Sequence, residues 1–577
     1  MSSLILNRPW SFRNPKDSLV EELCKSLGFP RSITAFLVNR GLDTKQKIEE
    51  HLHVSLSSLT DPFVMKSMDV AANRLALAIG QRETIGIFGD FDADGVCASA
   101  LMHLFLRELG AESHVYIPHR EKEGYGLNKT GLDKLSSKGC SLVVTVDCGI
   151  TNMEEARYCS GLGMELIITD HHKPSSEIPL AVACLDPQRK DCAFPFKGLA
   201  GVGVAFFLIW ATRRRLIEKG FFNTTSPPNL RKYLDLVAIG TVADMMPLYR
   251  ENRILVKEGL EVMASGQRPS VKALMDSCGL GNIRLSCRDI AFRLGPRLNA
   301  AGRMDHADTA FSLLTSEDYR EALGLSKRLE DLNQDRQRYE RKLLSQVLEF
   351  MAKDGSGSSL VFHCKGWKKG ILGLVASKVV EQANRPVILL TEEDGMLIGS
   401  GRAPEEIDLF GAISSCCELL TRFGGHRSAA GLAMAMENLH EFKQRFQQAV
   451  MKQKADHKQR PRLELDAQVE LSELVSSDYA SLLEMLEPFG PMYESPLFAA
   501  SKFQVTDARV VGQNHLKIAI SPHESSSSTC QLDLLAWGQG NKLDLSWQEL
   551  ELAFTPSVNI WNGRKSVQLI LKDARRP

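Results

Sequence analysis

Residues 84–95 read Thr-Ile-Gly-Ile-Phe-Gly-Asp-Phe-Asp-Ala-Asp-Gly: a short apolar run breaks into three acids at alternate positions, Asp90, Asp92 and Asp94. A short apolar run closed by glycine reads as a strand buried on both faces. Such strands belong to parallel sheets covered by helices. The helical pattern at 98–109 supplies the first cover. In a doubly wound sheet, sites form outside the carboxyl ends of the strands, which is where the three acids fall.

The pattern repeats downstream. Further strands are expected at 114–117, 141–146, 165–169 and 181–185, with a helix at 154–159. Two of these strands end in chemistry: Val146-Asp147-Cys148-Gly149 and Thr169-Asp170-His171-His172. The apolar run 234–239 reads as a buried helix that delivers Asp244 inward. One Asp-x-Asp at a strand end is often only a helix cap or a turn. Three clusters on successive strands are a constellation. Five or more carboxylates in one crevice repel each other unless cations sit between them. Carboxylate with imidazole suits Mn²⁺, Mg²⁺ or Zn²⁺, and the oxygen-rich mixture favours Mn²⁺ or Mg²⁺. Paired ions roughly 4 Å apart would activate a water and stabilise a phosphoryl transition state.

The remaining chain sets the frame. Its 577 residues suggest three or four domains. Lys plus Arg and Asp plus Glu both number 70, so net charge argues neither for nor against nucleic acid. Thirteen scattered cysteines with no C-x-x-C pair disfavour a thiolate zinc site and suit a reducing, cytoplasmic setting. The start carries no signal-peptide pattern, and the most apolar run, 202–212, is about half of what a bilayer needs, so no membrane role is expected. Residues 1–80 look helical, and 81–316 hold the α/β sheet. Residues 317–353 read as one solvated connector helix. A smaller α/β domain follows at 354–455, with strands near 360–363, 387–390 and 396–400. The strand-rich remainder, 463–577, reads as a small antiparallel barrel or sandwich, with strands at 503–511, 516–520, 531–537 and 566–571 and a polar loop at 523–528. The glycines of 198–203 are not followed by G-K-[ST], so they are read as tight helix packing and not as a phosphate loop.

At these residues the chain resembles the DHH phosphoesterase family, named for the triplet Asp170-His171-His172. Within it, the chain is similar to the bacterial branch of single-strand-specific 5′→3′ exonucleases. That closer likeness rests on Ile117-Pro118-His119-Arg120, Gly124-Tyr125-Gly126-Leu127, Gly240-Thr241-Val242-Ala243-Asp244 and Gly295-Pro296-Arg297-Leu298-Asn299-Ala300-Ala301-Gly302-Arg303. It also rests on Gly399-Ser400-Gly401-Arg402 and Gly424-Gly425-His426-Arg427. The resemblance implies a DHH catalytic domain, a DHH-associated substrate-binding domain and a C-terminal OB-fold. It implies two divalent ions, Mn²⁺ or Mg²⁺, held by Asp90, Asp92, Asp94, Asp147, His171 and Asp244. Many members carry His at the position of Phe88, and its absence here leaves Asp90 to complete that shell. Asp147 and His172 become the catalytic pair, with His172 against the scissile phosphate. Arg120, Arg297, Ser400 and Arg402 become phosphate contacts, Gly425 and His426 a backbone approach, and Tyr125 a base-stacking ring. Trp537, Trp561 and Lys517 are candidates for a single-strand groove on the barrel. The implied activity is hydrolysis of single-stranded DNA to 5′ mononucleotides in repair and recombination, beside single-strand-binding protein and a helicase. Two other readings stay open: a phosphodiesterase for short RNA or small nucleotides, and a non-catalytic single-strand-binding scaffold.

Overall fold

Strand β1 (Ile85–Phe88) is buried along its whole length, and parallel neighbours lie on both sides of it. Those neighbours are β2 (Ser113–Tyr116) and β3 (Leu142–Val146), followed outward by β4 (Glu165–Thr169) and β5 (Ala183–Leu185). The order β2-β1-β3-β4-β5 is parallel throughout, so the chain reverses direction of travel beside β1. Such a reversal opens a crevice at the strands' carboxyl ends. Helix α1 (Ala93–Glu108) starts in that crevice. So do α2 (Gly201–Glu218) and the end of α3 (Leu234–Ala243), both almost wholly buried.

The computed structural model describes the chain apart from residues 1–8, 282–283, 355–356, 457–461, 477, 513, 523–530, 544–545, 562–563 and 577, and the side chains of 354, 454–456 and 561. The expected loop at 523–528 and the side chain of Trp561 lie outside the described residues. The chain divides into two compact units, one of residues 60–246 and 258–458, the other of 1–59, 247–257 and 459–577. The expected N-terminal helical segment is therefore shared. Its helices Asp17–Leu27, Arg31–Asn39 and Lys45–Leu52 go with the C-terminal residues, and Met68–Gln81 goes with the parallel sheet. No helix among the described residues is long and apolar enough to cross a membrane.

In the larger unit, α4 (Gly295–Met304) leads to the long helix α5 (Tyr319–Asp354). Helix α5 is one continuous helix with a solvated face, as its charge suggests, but it also has a buried one. Ala322, Ser326, Leu329, Asn333, Glu340, Leu343 and Val347 are all buried, at three-, four- and seven-residue intervals that make one stripe. The stripe includes Ser, Asn and Glu, which hides it in a hydrophobicity pattern. Beyond it, β6 (Leu360–His363), β7 (Val387–Glu393), β8 (Met396–Arg402), β9 (Arg422–Gly425) and β10 (Ala429–Ala435) form a second sheet, in the order β9-β10-β8-β7-β6. Helix α6 (Lys369–Ala383) packs on one face of this sheet, with Val375 and Val379 against Leu389. Phe442 and Phe446 cover the other face.

The smaller unit holds a seven-stranded sheet built from 467–575. It is mostly antiparallel, but Leu532–Ala536 runs parallel to Arg564–Arg575. Strand Glu551–Trp561 has no counterpart in the sequence reading, because Pro556 sits in its middle and proline ordinarily argues against an interior strand. Trp537 is 45% exposed with its edge against His515, and Lys517 pairs with Asp533 at 2.8 Å.

Candidate metal centre

The crevice gathers the acids that follow β1, β3 and β4 and the one at the end of α3. Asp92 both caps α1 and faces the cluster: its Oδ1 accepts from the amides of Asp94 (2.9 Å) and Gly95 (3.0 Å). Asp94 is held from the opposite side by the first amides of α2. Gly201 N donates to its Oδ2 at 2.7 Å and Val202 N to its Oδ1 at 3.0 Å. A helix N-terminus is a natural carboxylate holder. Glycine is required at 201 because a Cβ there would stand 2.4 Å from Asp147 Oδ1. Of the 198–203 glycines, Gly201 is the one that packs tightly, and what it packs against is the site.

Asp147 sits in the left-handed region at φ 64°, a conformation Asp tolerates better than most residues. Its Oδ1 lies 3.1 Å from His171 Nε2, and the same nitrogen lies 3.6 Å from Asp244 Oδ2. Three groups place their donor atoms within 4.8 Å of one another: Asp90, Asp92 and Asp147; Asp94, His171 and Asp244; and Asp147, His171 and His172. Asp147 and His171 each belong to two of them. Every metal ligand expected from the sequence therefore falls in one crevice. Phe88 lies in the core against Tyr116. Asp90, two residues on, presents a buried Oδ1 with no hydrogen-bond partner.

Burial comes first among the causes that push these acids up, and mutual repulsion second. Asp94 rises to about 7 and Asp244 to about 8, and Asp90 and Asp147 stand well above the usual carboxylate range. Burial, reinforced by the charge of His172, takes His171 down to about 4, so it offers a neutral imidazole. The buried unpartnered atoms Asp90 Oδ1, Asp147 Oδ1 and His171 Nδ1 are what a cation-ready site leaves over. The donor set, oxygen-rich with one neutral imidazole, fits Mn²⁺ or Mg²⁺.

These shifts predict how the metal-free protein takes up ions. Cations bind deprotonated carboxylates, so at pH 7 binding must expel protons from Asp244 and Asp94. Apparent Mn²⁺ affinity should weaken as pH falls from 8 to 6, by up to roughly tenfold per unit for each proton displaced. Calorimetric titration in buffers of differing ionisation enthalpy reads the protons directly. Affinity flat across that window, with no buffer dependence, would contradict the pKa assignments.

Asp170 is buried, and hydrogen bonds engage both of its oxygens. Its Oδ2 accepts from Ile150 N at 2.9 Å, and its Oδ1 accepts from the amides of His171 (2.7 Å) and His172 (3.1 Å). The same Oδ1 lies 2.8 Å from His172 Nδ1. Burial would lower the His172 pKa, but the hydrogen bond and charge of Asp170 dominate and raise it to about 9. In the metal-free protein Asp170 thus holds His172 on the protonated side of neutrality, with Nδ1 occupied. Tyr125 O–H reaches the same imidazole, 2.9 Å from Nδ1, with its ring centroid 5.1 Å away. Tyr125 is thus placed beside His172 as well as at the surface, where 46% of it is exposed.

The arginines separate into two kinds. Arg297 Nε is ion-paired with Glu330 at 2.5 Å and its Nη1 donates to the Arg293 carbonyl at 2.5 Å. Arg120 stacks on Phe91 at 4.7 Å beside Asp90 and Asp92. Arg402 donates to Ser400 Oγ at 3.0 Å and to the Gly401 carbonyl at 2.7 Å. Arg303, which sequence reading passed over in favour of Arg297, donates to the Gly370 carbonyl at 2.9 Å. Burial lowers it to about 9, helped by Arg120, Arg336 and Arg402 around it. Among the described residues, Arg120, Arg303 and Arg402 form no ion pair. Three mutually repelling guanidiniums with no direct ion pair among the described residues, the carboxylates nearest them being those of the acid cluster, make a site for an anion. Gly425 and His426 lie on the exposed edge of the second sheet, with His426 N bonded to the Ala429 carbonyl at 2.7 Å.

Comparison with known proteins agrees with this geometry. Residues 84–241 match the DHH family, N-terminal domain, 356–452 the DHHA1 domain and 465–573 the RecJ OB domain. The single-stranded-DNA-specific exonuclease RecJ of Bacillus subtilis (strain 168) is 35% identical over 570 residues, which cover 98% of this chain and 70% of that protein. This chain belongs to the RecJ family. Two crystal structures of RecJ from Thermus thermophilus share its fold. The Mn²⁺ complex has TM-score 0.81 and 31% identity over 99% of this chain and 80% of that one. The Mg²⁺ complex has TM-score 0.74 and 30% identity over 99% and 78%. The crevice acids thus stand in a RecJ fold that has been seen with each of the ions their chemistry favours.

Proposed function

We propose that the chain is a hydrolase that degrades single-stranded DNA from its 5′ end to 5′ mononucleotides, with two divalent ions, Mn²⁺ or Mg²⁺. The carrying observation is the pairing of the acid cluster with three arginines that form no ion pair among the described residues. One would hold metals at a scissile phosphate, and the other a terminal phosphate one nucleotide upstream. Bound ions would acidify a water and neutralise charge on the reacting phosphate. Asp147, by virtue of its place in two donor groups, would hold the ions in register. His172, kept cationic by Asp170, would donate from Nε2 to a phosphate oxygen. Arg120, Arg303 and Arg402 would fix the 5′ end, with Ser400 orienting Arg402. Arg297, already engaged by Glu330, would stay outside the terminal-phosphate set, and Gly425 and His426 would meet the strand at the sheet edge. RecJ-family membership supports a role in repair and recombination in the cytoplasm, beside single-strand-binding protein and a helicase.

The test is digestion of 5′-labelled and 3′-labelled single strands across a Mn²⁺ and Mg²⁺ series. Immediate release of labelled mononucleotide from the 5′-labelled strand alone is expected. Intact strands at every ion concentration, or first release from the 3′ end, would overturn the reading. The arginine assignment adds a sharper expectation. Arg402→Ala should raise KM for a 5′-phosphorylated strand about tenfold, the scale of a lost charge-assisted contact. A 5′-hydroxyl strand, which never engaged Arg402, should change by less than about twofold; equal losses on both would remove the terminal-phosphate role.

A further inference from the structure

The two most exposed large hydrophobic residues among those described are Phe292, at 73%, and Met245, at 72%. Isolated exposed apolar side chains are ordinary on any protein. These two are not isolated in the fold. Met245 directly follows the ligand Asp244, at φ 57°. Phe292 lies in a π-helical turn, Ile290–Leu294, that runs straight into α4. Gly295 packs so closely on the end of α3 that a Cβ there would stand 3.2 Å from that of Ala243. Phe292 is three residues before that contact and Met245 two residues after it. π-turns recur at functional sites because the extra residue re-aims side chains.

Helix α4 and its π-turn touch successive parts of the candidate site. Arg303, at the carboxyl end, belongs to the terminal-phosphate set. Asn299, one turn back, accepts from Ala93 N at 2.9 Å, between Asp92 and Asp94. Gly295, another turn back, lies against Ala243, beside Asp244. A cavity of about 160 Å³ bounded by Ala291, Gly295, Asn299, Arg303 and Arg336 runs along this face. It has room for a phosphate and none for a nucleotide. Phe292 comes next, roughly 10 Å beyond Asn299 at 1.5 Å per residue. That span corresponds to about three nucleotides for a strand that keeps the stacked spacing of roughly 3.4 Å, and to fewer for an extended one.

We infer that Phe292 is a stacking platform for a base of the retained strand, two to four nucleotides 3′ of the scissile phosphate. The inference rests on the exonuclease reading and deepens it. A phenyl face stacks on any base and so secures single strands without sequence preference, whereas paired bases in a duplex have no free face to offer.

The experiment uses the full-length Mn²⁺-loaded enzyme with 5′-phosphorylated 20-mers and a 5′-phosphorylated dinucleotide. Phe292→Ala should raise KM on the 20-mer roughly tenfold with kcat within about twofold, the scale expected for one lost stacking contact. The loss should be confined to strands long enough to reach the ring, and Phe292→Trp should restore KM. In the unchanged protein, an abasic site scanned through the third to fifth nucleotides should reproduce the loss at one position. At that position Phe292→Ala should show no further loss. Unchanged KM in Phe292→Ala would overturn the assignment. So would an abasic penalty that persists in that variant, leaving the ring to a protein partner, or an equal loss on the dinucleotide. If instead the unchanged protein released no nucleotide from any strand, the exonuclease reading would fall, and with it the premise of this one.

Discussion

Asp147→Asn should leave a folded protein that still holds single-stranded DNA but cleaves it about 10³-fold more slowly or worse, roughly 4 kcal/mol of barrier. The expectation comes from position. Asp147 alone among the acids joins the Asp90–Asp92 group to the group that contains both imidazoles. Removing its charge therefore affects both ions at once, whereas Asp90 or Asp244 each enters one group. Asn is the informative replacement because it keeps the shape and, like Asp, tolerates φ near 64°. Ala would add a backbone penalty unrelated to metal. Isosteric Asn also avoids a clash with Gly201. Two measurements are needed together: single-turnover cleavage in Mn²⁺, and DNA binding by anisotropy in Ca²⁺. Cleavage within about tenfold of the unchanged protein would show that Asp147 does not hold the ions in register. Lost binding alongside lost cleavage would assign it to folding instead.

The metal site was legible in the sequence because its parts are local. Each cluster sits where an apolar strand ends, and a parallel sheet gives every strand end the same address. The triplet Asp170-His171-His172 shows the limit of that legibility. All three residues can be read as ligands or acids from their types. Only the hydrogen bonds that Asp170 makes with Ile150 N and His172 Nδ1 show that it braces an imidazole. By its type and motif Tyr125 is a ring for a base, yet its hydroxyl lies at that same imidazole. A hydroxyl's partner forty-seven positions away has no local signature.

The arginines were the least legible part, for a physical reason. Arg297 and Arg303 occupy one motif, and sequence cannot tell which is neutralised by Glu330 on a helix thirty-three residues on. Counterion pairing is a property of the fold. The same holds for α5, whose buried Ser326, Asn333 and Glu340 are polar residues on an interior stripe. Glu340 is held there by Arg336 at 2.8 Å and Lys378 at 2.5 Å. A pattern counted in apolar residues misses such a face. Domain membership was hidden likewise. Nothing local in residues 17–52 announces that Ile33, Phe36 and Ile48 share one core with Leu534 and Leu569.

That shared core carries the second large expectation. Arg253 is 1% exposed, and its guanidinium is spread over backbone carbonyls from two distant segments. Nε donates to the His51 carbonyl at 3.2 Å and Nη1 to that of Pro488 at 2.9 Å. Nη2 reaches the carbonyls of Leu486 and Glu487, both at 3.0 Å. The group also lies 4.8 Å over the ring of Tyr493. Helix Tyr479–Leu486 ends at these carbonyls, so the cation closes its negative end. Arg253→Met keeps most of the volume and removes the charge and every donor. Several buried carbonyls then lose their partner, each at about 1–3 kcal/mol before relaxation. The smaller unit should lose about 3–5 kcal/mol, near the upper end for a single substitution. Arg253→Lys should recover only part of this, because one ammonium cannot span the fork. The same neighbours give a second readout. Burial first, then the charges of Arg253 and Lys257, hold His51 down to about 3. Its unfolded value is near 6.5, so the fold is fully stabilised above pH 6.5 and loses stability as pH falls from there towards 3, because the unfolded chain takes the proton first. Arg253→Met removes one of those charges, so it should raise the His51 pKa and make the acid-side loss shallower. Urea unfolding followed at Trp547, buried in this core, measures both effects. A midpoint and an acid slope unchanged in Arg253→Met would show that the bonds to Leu486, Glu487 and Pro488 contribute nothing to this core.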